Sequence, residues 1–281
     1  MVGGRRSTLM NVLFWVIVLF IILYTIFPFY WAIVSSLTPP SDLFNTPVHY
    51  FPEHPTVKAY GTVFRNETFR RALLNSAFVS ITTVLISLVI GSFGAYALGR
   101  LKFRGRTLVL YTVLAMTMFP AIAILGSLFT MVRTLCLYNT PWALILTYMT
   151  FTLPFTVWVL TNFFQSLPLE LEQAAYVDGA TTLQTFYMIL LPLTAPGLVT
   201  TGLLAFINAW NEFLYALTFT INDSARTAPV ALALFSGEQQ FEIPWADIMA
   251  AAVVVTVPLV ILVLIFQRRL VEGLTAGAVK G

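Results

Sequence analysis

With 281 residues, 58% of them hydrophobic and 10% charged, and a mean hydropathy of +0.85, the chain cannot build a water-facing surface, which takes about 25% charged residues. Its one cysteine, Cys136, excludes an intrachain disulfide framework and reads as a small core or lipid-facing residue. The formal charge of +3 does not signal nucleic-acid binding, because the basic residues gather at the ends of apolar runs, where membrane topology accounts for them.

Six apolar runs, at about 12–34, 73–98, 108–131, 142–164, 190–219 and 247–266, are each long enough to cross a bilayer as a helix. Helices are expected because lipid cannot satisfy exposed backbone groups, and none of the runs shows the alternation of a barrel strand. The first run is too long for the core of a cleaved signal peptide and ends without a small-residue cleavage site, so it is expected to be retained. The fold class expected is an all-α membrane protein of six transmembrane helices. Residues 1–11 form an N-terminal segment, 12–268 the membrane domain and 269–281 a C-terminal tail.

Lys and Arg set the orientation. Arg5, Arg6, Arg100, Lys102, Arg104, Arg106, Arg268, Arg269 and Lys280 fall on one side and six basic residues on the other. The dense 100–106 cluster decides the balance and puts both termini in the cytoplasm. The opposite face then carries loops at about 36–71 and 221–246. Pro28, Pro120, Pro154, Pro196 and Pro258 lie inside the runs, where each removes a helical hydrogen bond and favours a kink. Such kinks suit helices around a transport cavity, and proline is also simply more frequent in membrane helices.

The segment LEQAAYVDGATTLQTFYMILLPL, 171–193, is the one sizeable connector on the expected cytoplasmic side. Ser166 and Pro168 can open a short helix, with Glu170 and Glu172 near its positive end. The helix is expected to run to about Val177 and to end at Asp178-Gly179, since glycine accepts the left-handed conformation at little cost. Thr181 to Gln184 has capping-box spacing and can restart a helix, and Leu191-Pro192 then bends the chain. A short helix on the cytoplasmic face, about 167–183, results, and the small Ala174 and Ala175 would let another protein approach closely.

The spacing Ala174-Ala175, Gly179, Ile189, Leu191-Pro192 resembles the EAA signature of the membrane subunits of bacterial ABC importers. LEQAAYVDGAT, AFINAWNEFLYAL (205–217) and FQRRLVEGLTAGAVKG (266–281) resemble the carbohydrate-importer version, of maltose or trehalose type. The resemblance implies the fold of a type I importer permease in the bacterial inner membrane. It makes 167–183 a coupling helix that docks into a groove on an ATPase dimer, through Glu172, Gln173, Ala174, Ala175, Asp178 and Gly179. The partners implied are that ATPase, a second and homologous permease, an extracytoplasmic sugar-binding protein and membrane lipid. The signature's glutamate is Gln173 here, so the usual ion pair with the ATPase is not assigned to it. By the same resemblance, Gln239, Gln240, Phe241 and Glu242 form the tip of a loop that reaches into the binding protein, or cap the bundle, and Gly273–Gly281 lies against the ATPase.

The chain has no G-x-x-x-x-G-K-[ST] phosphate loop, and Lys58, Lys102 and Lys280 all lie outside such a context. No cofactor is expected in this chain. ATP and Mg belong to the partner ATPase, and no enzyme activity is assigned here. His49 and His54 lack metal-spaced companions and read as loop residues. In the fifth run Asn208, Asn211 and Glu212, at i, i+3 and i+4, fall on one helix face that suits the hydroxyls of a sugar on a translocation path. The same three residues can instead pair across the bundle as helix–helix glue. The expectation is one membrane subunit of an ATP-driven carbohydrate importer, for a disaccharide or glucoside such as trehalose or maltose. A permease for a polyol or glycerophosphodiester and an ATP-independent secondary transporter are the alternatives.

Overall fold

The computed structural model describes residues 3–235 and 243–278, and side chains from 10 to 235 and 243 to 268. Among the described residues the regular structure is entirely helical. The helices are α1 (Gly3–Leu37), α2 (Lys58–Arg65), α3 (Glu67–Arg100), α4 (Arg106–Thr117), α5 (Ala121–Thr134), α6 (Pro141–Ser166), α7 (Glu170–Val177) and α8 (Thr182–Gln184). A π-helical turn (Thr185–Leu190) leads into α9 (Leu191–Leu193), α10 (Ala195–Trp210), α11 (Leu214–Phe219), α12 (Ala228–Ala233) and α13 (Trp245–Ala278).

Four of these helices are long and apolar enough to cross a membrane, or up to six elements if each of two bent pairs is one span. The third expected run is α4 and α5, bent by 96° at the break before Pro120. The fifth is the α8-to-α9 segment and α10, bent by 73°. The bend falls at Thr194, two residues beyond Pro192, and the π turn just before Pro192 absorbs the misfit between a proline and the preceding turn. Of the five prolines expected to kink the runs, Pro28, Pro154 and Pro258 stay inside unbroken helices, whereas Pro120 and Pro196 stand at the starts of α5 and α10, just past the two bends.

The chain divides into two compact units, Met1–Glu67 with Leu234–Val257, and Thr68–Ala233 with Pro258–Gly281. In the first, the loop after α1 folds back on the end of that helix. Tyr30 and Trp31 hold the rings of Phe51 and Tyr50 edge-on at 6.1 and 6.2 Å, Thr56 N–H donates to Leu37 C=O at 2.8 Å, and the Ser36 and Tyr60 hydroxyls meet at 2.7 Å. His49 lies 3.0 Å from Glu53. Among the described residues no group of three His, Cys, Asp or Glu could hold a metal ion.

The second unit is built on α3 against α6. Where apolar burial drives little association, close van der Waals packing and small polar side chains hold helices together. A Cβ on Gly91 would lie 2.6 Å from Thr156 Cγ2, and one on Gly99 3.0 Å from Phe164 Cβ. One turn before Gly91, the Ser87 and Thr152 hydroxyls are 2.9 Å apart and buried. Thr147, Thr152 and Thr161 satisfy their own hydroxyls by donating to carbonyls one turn back, at 2.7–2.9 Å, which lowers the cost of burying them. Two apolar clusters result. One, around Val79, Leu144, Tyr148, Tyr215 and Phe219, lies near the turn after α5. The other, around Ala95, Tyr96, Leu160, Phe164, Phe186 and Leu190, lies beneath α7.

The first cluster is closed by a polar knot. Asn139, at φ +60°, accepts from the N–H groups of Ile221 and Asn222 at 2.9 and 3.2 Å and donates to Asn222 Oδ1 at 2.9 Å. At the start of α3, Thr68 donates to Asp223 at 2.7 Å and Asn75 to the carbonyls of Ser224 and Arg226 at 3.1 and 3.0 Å.

Candidate functional site

The connector between α6 and α10 contains the short helix read from the sequence, as α7. Its C-terminus is a Schellman turn: Ala180 N–H donates to Ala175 C=O at 2.9 Å and Gly179 N–H to Tyr176 C=O at 3.1 Å, with Gly179 at φ +85°. No atom lies within 4 Å of a Cβ built on Gly179, so backbone conformation alone requires the glycine. The capping box is complete, with Gln184 N–H donating to Thr181 Oγ1 at 3.3 Å and Thr181 N–H to Gln184 Oε1 at 2.8 Å.

The N-terminus of α7 differs from expectation. Ser166 does not cap it: α6 continues through Ser166, whose hydroxyl donates back to Phe163 C=O at 2.8 Å, and the N-cap residue of α7 is Leu169, without a side-chain cap. A serine at the end of one helix has a carbonyl of that helix within reach before any N–H of the next.

The candidate coupling residues divide between two faces. Gln173, Ala174, Asp178 and Gly179 are exposed, together with Tyr176 and with Val177, which is 87% exposed. Ala175 and Glu172 are buried, so only Ala174 of the alanine pair is open to an approaching surface. The Glu172 carboxylate is ion-paired to Arg100 Nε. The pair sits at the last residue of α3, and the Arg100 side chain is 3% exposed. Its remaining N–H groups donate to the carbonyls of Leu167 at 2.8 Å, Pro168 at 3.1 Å and Phe164 at 3.4 Å. Beneath it Tyr96, Phe164 and Phe186 pack ring to ring at 5.0–6.0 Å. Sequence reasoning missed this joint. Arg100 was visible only as the first of four basic residues, and a partner 72 positions away leaves no local signal.

The three polar residues of the fifth run do not share a face. α10 ends at Trp210, and Asn211 is its C-cap. Asn208 and Asn211 are exposed, each donating to the carbonyl one turn back, Leu204 at 3.1 Å and Ile207 at 2.9 Å. Glu212 turns the other way: its two carboxylate oxygens accept from Tyr215 N–H at 2.7 Å and Ala216 N–H at 3.0 Å. It therefore caps α11, because the break after Trp210 leaves that helix with free N–H groups to satisfy. Of the three, Asn208 and Asn211 are exposed and Glu212 is half-buried. Glu212→Gln keeps the shape but replaces one accepting oxygen with a donor. We expect it to cost about 1–2 kcal/mol and to raise hydrogen exchange at the Tyr215 and Ala216 amides. Unchanged protection there would contradict the capping role.

Gln239, Gln240, Phe241 and Glu242 lie outside the described residues. In the tail, α13 continues unbroken to Ala278, ten residues beyond the membrane boundary expected at Arg268.

The chain matches the family described as binding-protein-dependent transport system inner membrane component over residues 87–275. It is 43% identical over 280 residues to the trehalose transport system permease protein SugB of Mycobacterium tuberculosis, covering 99% of this chain and 100% of that one. It is 41% identical over 279 residues to the trehalose/maltose transport system permease protein MalG of Thermococcus litoralis, covering 99% of each. Its fold is similar to that of a chain in the crystal structure of a bacterial ABC transporter involved in import of the acidic polysaccharide alginate, with TM-score 0.83, 22% identity and coverage of 95% and 99%. Together with its apolar spans, the match over two thirds of its length and the full-length relatives make this chain a multi-pass membrane permease that belongs to the family of binding-protein-dependent transport system inner membrane components.

Proposed function

We propose that this chain is one of two membrane subunits of an ATP-driven importer that takes a carbohydrate from an extracytoplasmic binding protein. The observation that carries the reading is α7 itself. Gln173, Ala174, Val177, Asp178 and Gly179 form an open face, and the buried side of the helix is tied to the ends of α3 and α6. A helix so placed can receive motion from a docked ATPase. Ala174 and Gly179 admit close approach, and Gln173 offers hydrogen bonds where a carboxylate would offer an ion pair. ATP and Mg bind the ATPase partner and not this chain. On this reading both termini and α7 face the cytoplasm, which the Lys and Arg of 100–106 support. Gln239, Gln240, Phe241 and Glu242 meet the binding protein on the other side.

The relatives named for trehalose and maltose support a disaccharide or glucoside as the solute. Asn208 and Asn211 are the polar groups of α10 that we assign to its path, since amides pair with sugar hydroxyls.

The test is the complex of this chain with its ATPase, second permease and binding protein, reconstituted in lipid. ATP hydrolysis and uptake are measured across a panel of disaccharides, glucosides and polyols. Stimulation of both by one saccharide is expected. Stimulation by polyols alone would replace the substrate class, and uptake by this chain without ATP would overturn the importer.

A further inference from the structure

We propose that Arg100 is a positioning residue that makes α7 a stiff extension of α3 and α6, so that motion delivered to α7 reaches the spans. The inference rests on the coupling reading above and goes beyond it, because it places the mechanical joint on the buried side of α7, away from the docking face.

Three observations carry it. The first is that one side chain joins three elements. Arg100 is the last residue of α3, its Nε pairs with Glu172 in α7, and its Nη groups bind carbonyls of Phe164 in the last turn of α6 and of Leu167 and Pro168 in the link. The last carbonyls of α6 lack the usual partner four residues on: Phe164 C=O has only the long 3.4 Å backbone bond from Leu167 N–H, and a cation there is favoured by the helix dipole. The second is that the link from α6 to α7 is only 167–169, and no side chain of the link caps the start of α7, where Leu169 is the N-cap residue. The third is that the two charged side chains are largely buried. The Arg100 side chain is 3% exposed and that of Glu172 11%, over a floor of Tyr96, Phe164 and Phe186. A buried ion pair does little for net stability compared with apolar packing, but it fixes geometry, because both charges are committed to one arrangement. Gly99 allows the approach: any Cβ there would press on Phe164 Cβ at 3.0 Å and on Thr161 C=O at 3.3 Å and lift Arg100 away from the end of α6.

The chemistry requires arginine. The guanidinium has five donors in a planar fork and can reach a carboxylate and carbonyls in different directions at once. A lysine ammonium has three donors at a single point. Arg100→Lys therefore keeps the charge and loses the span of the joint, and Glu172→Gln keeps the shape and loses the charge.

The test uses the assembled complex in proteoliposomes, with wild type, Arg100→Lys and Glu172→Gln compared. Three quantities are read: co-purification of the ATPase, stimulation of ATP hydrolysis by the loaded binding protein, and solute taken up per ATP hydrolysed. Both variants are expected to assemble and hydrolyse ATP while uptake per ATP falls about tenfold. A residue serving only stability would lower all activities together and leave that ratio unchanged, which would overturn the proposal. Failure of both variants to assemble would also overturn it, by making the pair a folding element. Wild-type uptake that needs no ATP would overturn the importer reading along with it. ATP-driven wild-type uptake with an unchanged ratio in the variants overturns this inference alone.

Discussion

Replacing Gly179 with valine is expected to abolish ATP-driven uptake while leaving the chain folded. Gly179 sits at φ +85°, and a Cβ there would meet nothing within 4 Å, so the effect is entirely one of backbone conformation. An ordinary side chain in the left-handed region costs about 1–2 kcal/mol, and a β-branched one is a clear outlier there. The chain escapes that strain by unwinding the turn. It then loses the Ala180-to-Ala175 and Gly179-to-Tyr176 hydrogen bonds and shifts the entry to α8. The exposed face of α7 changes shape, and the apolar clusters of the second unit are untouched. A series should therefore rank Gly above Asn, Asn above Ala and Ala above Val, because asparagine tolerates the left-handed region best after glycine. Saccharide-stimulated ATP hydrolysis and uptake in proteoliposomes check the order. Wild-type uptake by Gly179→Val would remove the turn from the mechanism.

Phe164→Ala should produce the largest loss of stability. Phe164 is fully buried, packs edge-on to Tyr96 at 5.9 Å and lies 6.0 Å from the Phe186 ring, and so links the end of α6 to α3 and to the π turn. Removing a buried phenyl ring costs about 3–5 kcal/mol when the cavity cannot collapse. Collapse is blocked here because α3 and α6 already touch at Gly99. The midpoint of thermal unfolding in detergent should fall well below wild type. Leu, which refills much of the volume, should recover part of the loss. A midpoint unchanged in the alanine variant would show that the cluster carries little of the fold.

Much of α7 was legible beforehand because its signals are local. A capping box needs two residues three apart and a helix-ending glycine needs one, so the C-terminal end of α7, the Gly179 turn and the Thr181–Gln184 box all appear where the sequence places them. Ser166 misled for the same reason. A serine followed by Leu-Pro reads as a start, and only the continuation of α6 turns it into an end.

The fifth run shows the limit more sharply. Composition makes 190–219 one apolar stretch, and helical spacing then aligns Asn208, Asn211 and Glu212. The spacing argument holds only while the helix continues, and the chain breaks after Trp210. Two residues past the break, Glu212 faces the N–H groups of α11 in place of the asparagines' surface.

The membrane class, the apolar spans and the short turn-bounded helix follow from the order of residues alone, because these depend on average polarity and on contacts within one or two turns. Which side of that helix is open depends on packing between distant segments. Glu172 and Ala175 are buried, and Gln173, Ala174 and Gly179 exposed, because Arg100 at the end of α3 lies against the end of α6. That choice depends on a close approach at Gly99, between residues more than sixty positions apart, and no local pattern encodes it.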